Sequence, residues 1–396
     1  MAAHAWGATS YPWWLPGLVL ALAVSGLAAP RIHPIFDRVT RGEENVGRHA
    51  ALLERTAELP GEGELLEETR AAVRGEPDAA AALERLERLI SASNTRRNVL
   101  AHLPLQILFV WDVHLLWLLE RWQARFGHEV REWLDAMGRA DAVLALSVLD
   151  ADHDDWSHPE LDPSRDSLHA DELGHPLLAS ADCVRNEVRV GPPGTFLLVT
   201  GSNMSGKSTL LRALGLSAVL AQAGAPVPAR RLRLPPLSVH TSMQVEDSLS
   251  EGISEFMAEL RRMRQVVEGA EARGEGPARA LYLLDEPLQG TNEAERREGI
   301  RIVLRRLVES GAIGAVATHD LRVHRTPELE SAAHVVHLTG DVAEGEEGAL
   351  LSFDYRLRPG PAPSTNALAL MRAVGLADGT IGSEGKDVPA GGDEET

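Results

Sequence analysis

The sequence contains a single cysteine, Cys183, in 396 residues. One thiol excludes an intramolecular disulfide and any zinc site built from several cysteines, so a secreted disulfide scaffold is ruled out. Aromatic residues make up only 4%, and the core must therefore come mainly from Leu, Val and Ala. Hydrophobic residues still reach 44% and charged residues 24%, which is the balance of a soluble globular protein with two or three domains.

Lysine is also scarce, since Lys207 and Lys386 are the only two in the chain. A motif that requires a lysine therefore carries more weight here than in an average sequence. The formal net charge is −19, and the excess acid lies mostly in residues 35–175 and in the tail at 377–396. Such a balance repels polyanions unless basic residues cluster on one face, and the sequence contains no basic stripe of that kind.

Residues 1–34 include a long uncharged run from Trp13 to Pro30, which Arg31 ends. Its length is near the lower limit for crossing a bilayer, and arginines placed after it would leave the rest of the chain in the cytoplasm. A membrane anchor and a buried or interfacial helix both agree with this run. A cleaved signal agrees less well, because residues 1–12 contain no Lys or Arg.

Residues 35–173 are rich in Ala, Leu, Glu and Arg, with apolar residues three and four apart. This spacing predicts an all-α region with turns at the glycine- and proline-containing segments 60–63 and 75–77. The apolar run 99–119 predicts a core helix rather than a second membrane span, because polar residues such as Asp112 lie inside it.

The stretch 150–171 is dense in Asp and His. Its residues have no regular ligand spacing, so we interpret it as a solvated acidic loop rather than a metal site.

From Gly174 onward, short apolar runs alternate with helical segments. Strands are predicted at 195–200, 280–284 and 312–317, and the apolar character of these runs is typical of strands covered on both faces by helices. Residues 174–376 therefore predict an α/β domain with a mainly parallel sheet. Residues 377–396, rich in glycine and acid, predict a disordered tail.

Residues 201–208 read Gly-Ser-Asn-Met-Ser-Gly-Lys-Ser and match the P-loop pattern. The two glycines allow a tight turn that aims backbone N–H groups at phosphate oxygens, and the helix that follows adds its positive N-terminus. Lys207 would reach the β- and γ-phosphates of ATP, and Ser208 would bind Mg²⁺. The predicted nucleotide-binding residues are Gly201, Ser202, Asn203, Met204, Ser205, Gly206, Lys207, Ser208 and Thr209.

Two further strands end in polar residues that suit ATP hydrolysis. The run 281–284 is followed by Asp285, which would order the Mg²⁺ shell, and by Glu286, which would polarise the attacking water. The strand at 312–317 is followed closely by His319, which would then lie where it could sense the γ-phosphate. Together with the P-loop, these residues predict an ATPase.

These motifs, with the segments 174–178, 221–229, 247–257 and 284–292, resemble the MutS family of DNA mismatch repair ATPases. The likeness is closer to a shorter, membrane-associated branch of that family. It implies an ABC-class P-loop NTPase that works as a homodimer, with ATP held between the subunits. In this arrangement Ser254 of one subunit would reach the γ-phosphate that is bound by Lys207 of the other.

The resemblance also marks a departure. Mismatch-reading members of the family carry an N-terminal wedge domain and a connector domain, for which residues 1–173 leave no room, although 35–173 resemble shortened core and lever helices. One hypothesis is a mismatch-repair-related ATPase that senses DNA. The alternative is a membrane-associated mechanochemical ATPase that acts on a protein partner. A small-molecule kinase is the weakest interpretation, because it requires neither Glu286 nor the Ser254 segment.

Overall fold

A computed structural model of the chain describes residues 14–40, 43–202, 204–243, 255–272, 278–320, 322–345 and 348–362. The chain divides into two compact units, Met1–Ala145 and Leu146–Thr396. The second unit begins before residue 174, because strands within 160–173 pair with strands that follow that residue. The predicted tail at 377–396 lies outside the described residues.

The first unit is helical, as the residue spacing predicts. Its helices are α1 (Trp14–Thr40), α2 (Glu43–Ala57), α3 (Glu64–Arg74), α4 (Ala79–Ser93), α5 (Val99–Phe109), α6 (Trp111–Phe126) and the first part of α7 (Val130–Asp152), with a 3₁₀ turn at Asn94–Arg97. The predicted turns at 60–63 and 75–77 separate α2 from α3 and α3 from α4. Asp78 caps α4 by accepting a hydrogen bond from the Ala81 backbone N–H at 2.8 Å.

Two apolar clusters hold the described part of this unit together. One joins α2, α3 and α4 to the aromatic side chains of α6 and α7, among them Trp122 and Trp133. The buried indole of Trp122 donates a hydrogen bond to the Ala82 carbonyl at 2.8 Å, which satisfies its one polar atom. The other cluster packs Ile32 and Phe36 of α1 against α6.

The apolar run 99–119 does not form one core helix. Val110 adopts a left-handed conformation with φ +48°, and the helices on either side of it are bent by 78°. Helix α6 turns inward and buries Leu115. Helix α5 instead leaves Leu100 88% and Leu108 71% exposed. The core-helix prediction is therefore correct for α6 and wrong for α5.

Helix α1 contains a stretch, Leu15–Val39, that is long and apolar enough to cross a membrane. Only 6% of its most apolar window is buried, with Leu20 and Leu27 strongly exposed, so that part is not a core helix. Signal sequences near an N-terminus share this length and composition, so a membrane anchor and a signal sequence both agree with the described part of α1.

The second unit combines strands and helices. Its strands are β1 (Glu160–Leu161), β2 (Leu168–Leu173), β3 (Asn186–Val190), β4 (Phe196–Gly201), β5 (Arg231–Leu234), β6 (Leu237–Ser242), β7 (Arg279–Asp285), β8 (Ile313–Ala317), β9 (Ala333–Gly345) and β10 (Gly348–Pro359). Its helices are α8 (Lys207–Gln222), α9 (Glu255–Glu271), α10 (Glu293–Glu309) and α11 (Pro327–Ala332).

The strands form two sheets of different character. A six-stranded sheet has the order β10-β9-β4-β8-β7-β6, and every neighbouring pair in it is parallel except β9 with β10. A four-stranded sheet has the order β1-β5-β2-β3, and only β1 with β5 is parallel. The three predicted strands are confirmed as β4, β7 and β8. The unit as a whole has mixed sheets, which corrects the prediction of a mainly parallel one.

The six-stranded sheet is covered on both faces, which explains its apolar strands. Residues of β4 alternate between the two sides: Leu197 and Val199 pack towards α8, whereas Phe196 and Leu198 pack towards α9, α10 and α11. All six residues of β4 are buried. Because helices exclude water from both faces of the six-stranded sheet, polar side chains can reach solvent only at the ends of its strands. A ligand site in such a sheet lies at the carboxyl ends of the parallel strands.

Candidate nucleotide-binding site

The loop between β4 and α8 turns sharply at two glycines. Gly201 has φ +147° and Gly206 has φ +96°, a region that residues with side chains rarely adopt. A Cβ atom at Gly201 would also collide with the Leu338 carbonyl oxygen. Gly206 is the N-cap of α8, so the first backbone N–H groups of this helix point out of its open end. This is the local geometry that the P-loop pattern predicts.

Lys207 lies inside the loop rather than in solvent. Its side chain is 6% exposed, and Nζ donates hydrogen bonds to the carbonyl oxygens of Gly201 and Ser202, both at 3.0 Å. The hydroxyl oxygens of Ser202 and Ser205 are buried and lack a hydrogen-bond partner among the described residues. Buried polar atoms normally have partners, so this loop is built to receive another polar group.

The acidic pair lies at the end of β7, where Asp285 is the last strand residue and Glu286 follows it. Asp285 pairs in register with Ala317 of the neighbouring β8, and the Glu286 backbone N–H donates to the Ala317 carbonyl at 2.9 Å. Glu286 is in the left-handed region with φ +43°, which is strained for a residue with a side chain. Its Oε1 atom lies 3.5 Å from Nζ of Lys207. One carboxylate oxygen of Asp285, Oδ1, is buried without a hydrogen-bond partner in the described part of the chain.

His319 lies beside Glu286. Nδ1 of the imidazole is 2.9 Å from Oε2 of Glu286. Burial raises the pKa of Glu286, but the hydrogen bond with His319 and the charges of Lys207 and Arg296 outweigh burial and hold that pKa below its ordinary value. Glu286 is therefore ionised at neutral pH.

A cavity of about 710 Å³ opens in front of the phosphate loop, which is large enough for a nucleotide. Its lining residues are His175, Leu178, Asp182, Val184, Asn186, Met204, Ser205, Gly206, Lys207, Ser208, Thr209, Leu210, Ala213, Glu286, Leu338 and Tyr355. The structure therefore brings six of the nine predicted nucleotide-binding residues together with Glu286. Gly201 and Ser202 lie behind them at the end of β4, and Asn203 and Ser254 fall outside the described residues.

The cavity also contains residues that the motifs missed. The ring of Tyr355 lies against the loop, since a Cβ atom at Gly206 would be 3.0 Å from Tyr355 Cδ1. Asn186 holds this part of β10 in place by donating to the Tyr355 carbonyl at 3.0 Å and accepting from the Leu357 N–H at 2.7 Å. No motif places either residue at the site, because Asn186 on β3 and Tyr355 on β10 are 169 residues apart and meet only in the folded chain.

The acid-rich stretch 150–171 is not the single loop that the sequence predicts, because it contains the end of α7, strand β1 and the start of β2. Its His158 forms an exposed ion pair with Asp150 at 3.0 Å. Within the described residues, one potential metal-ligand group forms, from His169, Asp171 and Glu187. Nη2 of Arg233 lies 3.2 Å from Nδ1 of this His169. A guanidinium at that distance competes with a cation, so we assign no metal to the group.

Residues 197–385 match the family described as MutS domain V, and this match includes the phosphate loop, Glu286 and His319. The chain belongs to the MutS family.

Individual MutS-family relatives agree with this assignment. DNA mismatch repair protein MSH6 of Arabidopsis thaliana is 32% identical over 221 residues, which are 53% of this chain and 16% of that protein. Endonuclease MutS2 of Thermus thermophilus is 31% identical over 271 residues, 66% of this chain and 33% of the relative. DNA mismatch repair protein MutS of Natronomonas pharaonis is 28% identical over 260 residues, 64% of this chain and 28% of the relative. The chain thus spans a third or less of these proteins.

Proposed function

We propose that this MutS-family chain binds ATP with Mg²⁺ and hydrolyses it in a mismatch-repair-related role. The observation that carries the proposal is the contact between Lys207 and Glu286, which lie 3.5 Å apart in the lining of the cavity. The two residues come from different parts of the sequence, and each is the type that phosphate binding or water activation requires.

The residues at the site suit ATP and a hard cation. Lys207 would bind the β- and γ-phosphates, and the buried hydroxyl groups of Ser202 and Ser205 offer partners for further phosphate oxygens. Ser208 and the unpartnered carboxylate oxygen of Asp285 are oxygen ligands of the kind Mg²⁺ prefers. Bound Mg²⁺ supplies neutralisation of phosphate charge.

Glu286 would act as the general base. It is ionised, partly buried and held by a hydrogen bond from a neighbouring ring, so it can accept a proton from water without first losing one of its own. We propose that His319 senses the γ-phosphate from beside this carboxylate. Replacing Lys207 by Ala should abolish ATP binding, and Lys386→Ala, at the only other lysine in the chain, is the matched control.

We infer that two copies of the chain close around ATP as a homodimer, with Ser254 of one subunit reaching the nucleotide of the other. The support is the family resemblance of residues 247–257. Analytical ultracentrifugation with and without ATP tests this point: a chain that stays monomeric with ATP and Mg²⁺ bound contradicts dimer closure.

DNA is the partner that the names of the relatives suggest, since two of the three are called DNA mismatch repair proteins. ATPase activity should therefore rise with duplex, mismatched or branched DNA, and the effect should weaken as salt rises. The decisive measurement is turnover with each DNA at two salt concentrations. Activity that no DNA changes at either salt would leave a protein partner as the better choice.

The alternative is a membrane-associated ATPase that acts on a protein partner, and the exposed leucines of α1 and α5 favour membrane contact. In this case the chain would be cytoplasmic with its N-terminal helix in the membrane. Flotation with phosphatidylcholine–phosphatidylglycerol vesicles tests it. Leu20→Glu should reduce flotation, whereas Leu177→Glu, at an exposed leucine of the second unit, should not.

A further inference from the structure

Arg296 contacts both Glu286 and His319, although it belongs to none of the predicted motifs. It lies one turn into α10, whose start is set by Asn292, because the Asn292 side chain accepts a hydrogen bond from the Glu295 N–H at 2.9 Å. Nη2 of Arg296 is 3.2 Å from Nε2 of His319 and 3.7 Å from Oε2 of Glu286. Its side chain is only 12% exposed.

The chemistry of the three groups allows one arrangement of protons. A guanidinium has donors and no acceptor, so Nε2 of His319 must accept the hydrogen bond from Arg296 and carries no proton. The proton of the neutral ring is then on Nδ1, which donates to Oε2 of Glu286 at 2.9 Å. Both ring nitrogens of His319 therefore form hydrogen bonds, and the contact with Arg296 selects the Nδ1–H tautomer.

Arg296 differs from its neighbour on the same helix. Arg297 is bonded to two carboxylates, with Nε 2.8 Å from Asp320 and Nη2 2.8 Å from Glu293. These contacts are ordinary ion pairs that secure α10. Arg296 instead donates its hydrogen bond to the imidazole of His319, beside Glu286, which lines the cavity.

Lys207 is the other cation close to Glu286, and the proposed function assigns it to the phosphates. Arg296 comes from a different element, so its charge stays beside the carboxylate when Lys207 engages another anion. We propose that Arg296 is a positioning residue that holds His319 in its Nδ1–H tautomer and thereby keeps the Glu286 carboxylate in place for water activation. This inference rests on the proposed ATPase function and adds a residue that acts through Glu286.

The kinetic test uses Arg296→Ala in the full chain. Turnover should fall on the order of 100-fold, the effect of a misplaced catalytic group, while the Kd for ATP stays within a few-fold of wild type. Arg296→Lys should be intermediate, since an ammonium keeps the charge but cannot reproduce the planar contact. Arg306→Ala is the matched control, because Arg306 is on the same helix and is half-exposed, with Glu271 as its partner.

Two further measurements separate positioning from a merely structural role. In the Glu286→Gln background, adding Arg296→Ala should cause no further loss of turnover, because residues that act as one unit are not additive. Nitrogen-15 NMR of the nucleotide-free protein should show His319 protonated on Nδ1, with its signals assigned by comparison with His319→Asn. Arg296→Ala should move that proton towards Nε2.

Wild-type turnover in Arg296→Ala, or a His319 tautomer that does not respond to it, overturns the inference. Should Arg296→Ala fail to fold, Arg296→Lys and the tautomer of the wild-type protein decide the question: Nε2–H in the wild type contradicts it. A wild-type protein without any ATPase activity would instead refute the proposed function, and the NMR result would still report on the Arg296 contact.

Discussion

Replacing Glu286 by Gln removes one negative charge and leaves the shape of the side chain nearly unchanged. The carboxylate lies between two largely buried cations, Lys207 at 3.5 Å and Arg296 at 3.7 Å, and it accepts a hydrogen bond from His319. The amide can still accept from the ring, but it cannot take a proton from water. We therefore expect Glu286→Gln to bind ATP and to hydrolyse it much more slowly than the wild type.

The size of the effect follows from the same contacts. A general base contributes ~10²–10⁴-fold to a rate, so turnover should fall by about this factor, which equals roughly 3–5 kcal/mol of activation free energy. At an effective dielectric constant of ~20, opposite charges at the observed Lys207–Glu286 distance attract by about 5 kcal/mol before desolvation is counted. In Glu286→Gln this attraction is lost and Lys207 is free to bind phosphate. The affinity for ATP should therefore be equal to that of the wild type or higher.

The assay pairs steady-state phosphate release with equilibrium binding of a fluorescent ATP analogue. Glu271→Gln is a suitable control, because this glutamate pairs with Arg306 on the surface and does not line the cavity. If dimer closure depends on bound ATP, the Glu286→Gln protein should also accumulate as a dimer. Hydrolysis at the wild-type rate in Glu286→Gln would refute the assignment of the base and the mechanism built on it.

Three other outcomes are expected. Lys207→Ala should lose ATP binding in the same fluorescence assay, because Lys207 is the one lysine among the described residues that line the cavity; undiminished binding would mean that the nucleotide lies elsewhere. Leu304→Ala, at a fully buried position of α10, should cost ~2–5 kcal/mol in urea unfolding, whereas Ile302→Ala, 54% exposed on the same helix, should cost much less. For Asp320, burial raises the pKa, but hydrogen bonds from the Arg322 backbone and from Arg297 outweigh burial and lower it. The ionised carboxylate of Asp320 therefore stabilises the fold at pH values above its ordinary pKa of 3.8. This stabilisation is lost as the pH falls through the lowered pKa of the folded protein. The difference in unfolding temperature between wild type and Asp320→Asn should accordingly shrink in acid, and a difference that grows there would contradict the sign.

Much of the second unit could be predicted because its signals are local. Strands β4, β7 and β8 are buried on both faces, so each is a continuous apolar run that stands out in the sequence. The phosphate loop needs glycine at two positive-φ positions and lysine at the start of a helix, which leaves a recognisable string of residues. Glu286 directly follows the end of β7 and His319 comes two residues after the end of β8, and parallel strands bring such ends to one edge of the sheet.

Other features depend on which distant segments pair, and no short pattern records that. Sheet pairing places β2 beside β3 and β5, so the second unit begins earlier than the change in sequence character at residue 174. The break at Val110 likewise separates an exposed α5 from a buried α6 within one apolar run. In both cases the local sequence fits either arrangement: residues before 174 could belong to either unit, and an apolar helix could be buried or exposed. Contacts with distant segments decide which arrangement forms.

By itself, the sequence determined the phosphate loop, the acidic strand end and the division into helical and α/β parts, because each arises from the preferences of neighbouring residues. Only the tertiary structure decided that Tyr355 lies against the loop and that Arg296 meets His319 and Glu286. Tyr355 is far from the loop in the sequence, and Arg296 lies 23 residues before His319 and ten residues after Glu286 on a different element. These contacts form because β10 pairs at the edge of the six-stranded sheet and α10 packs on its face. A side chain that is distant in the sequence reaches the site only when such packing places it there.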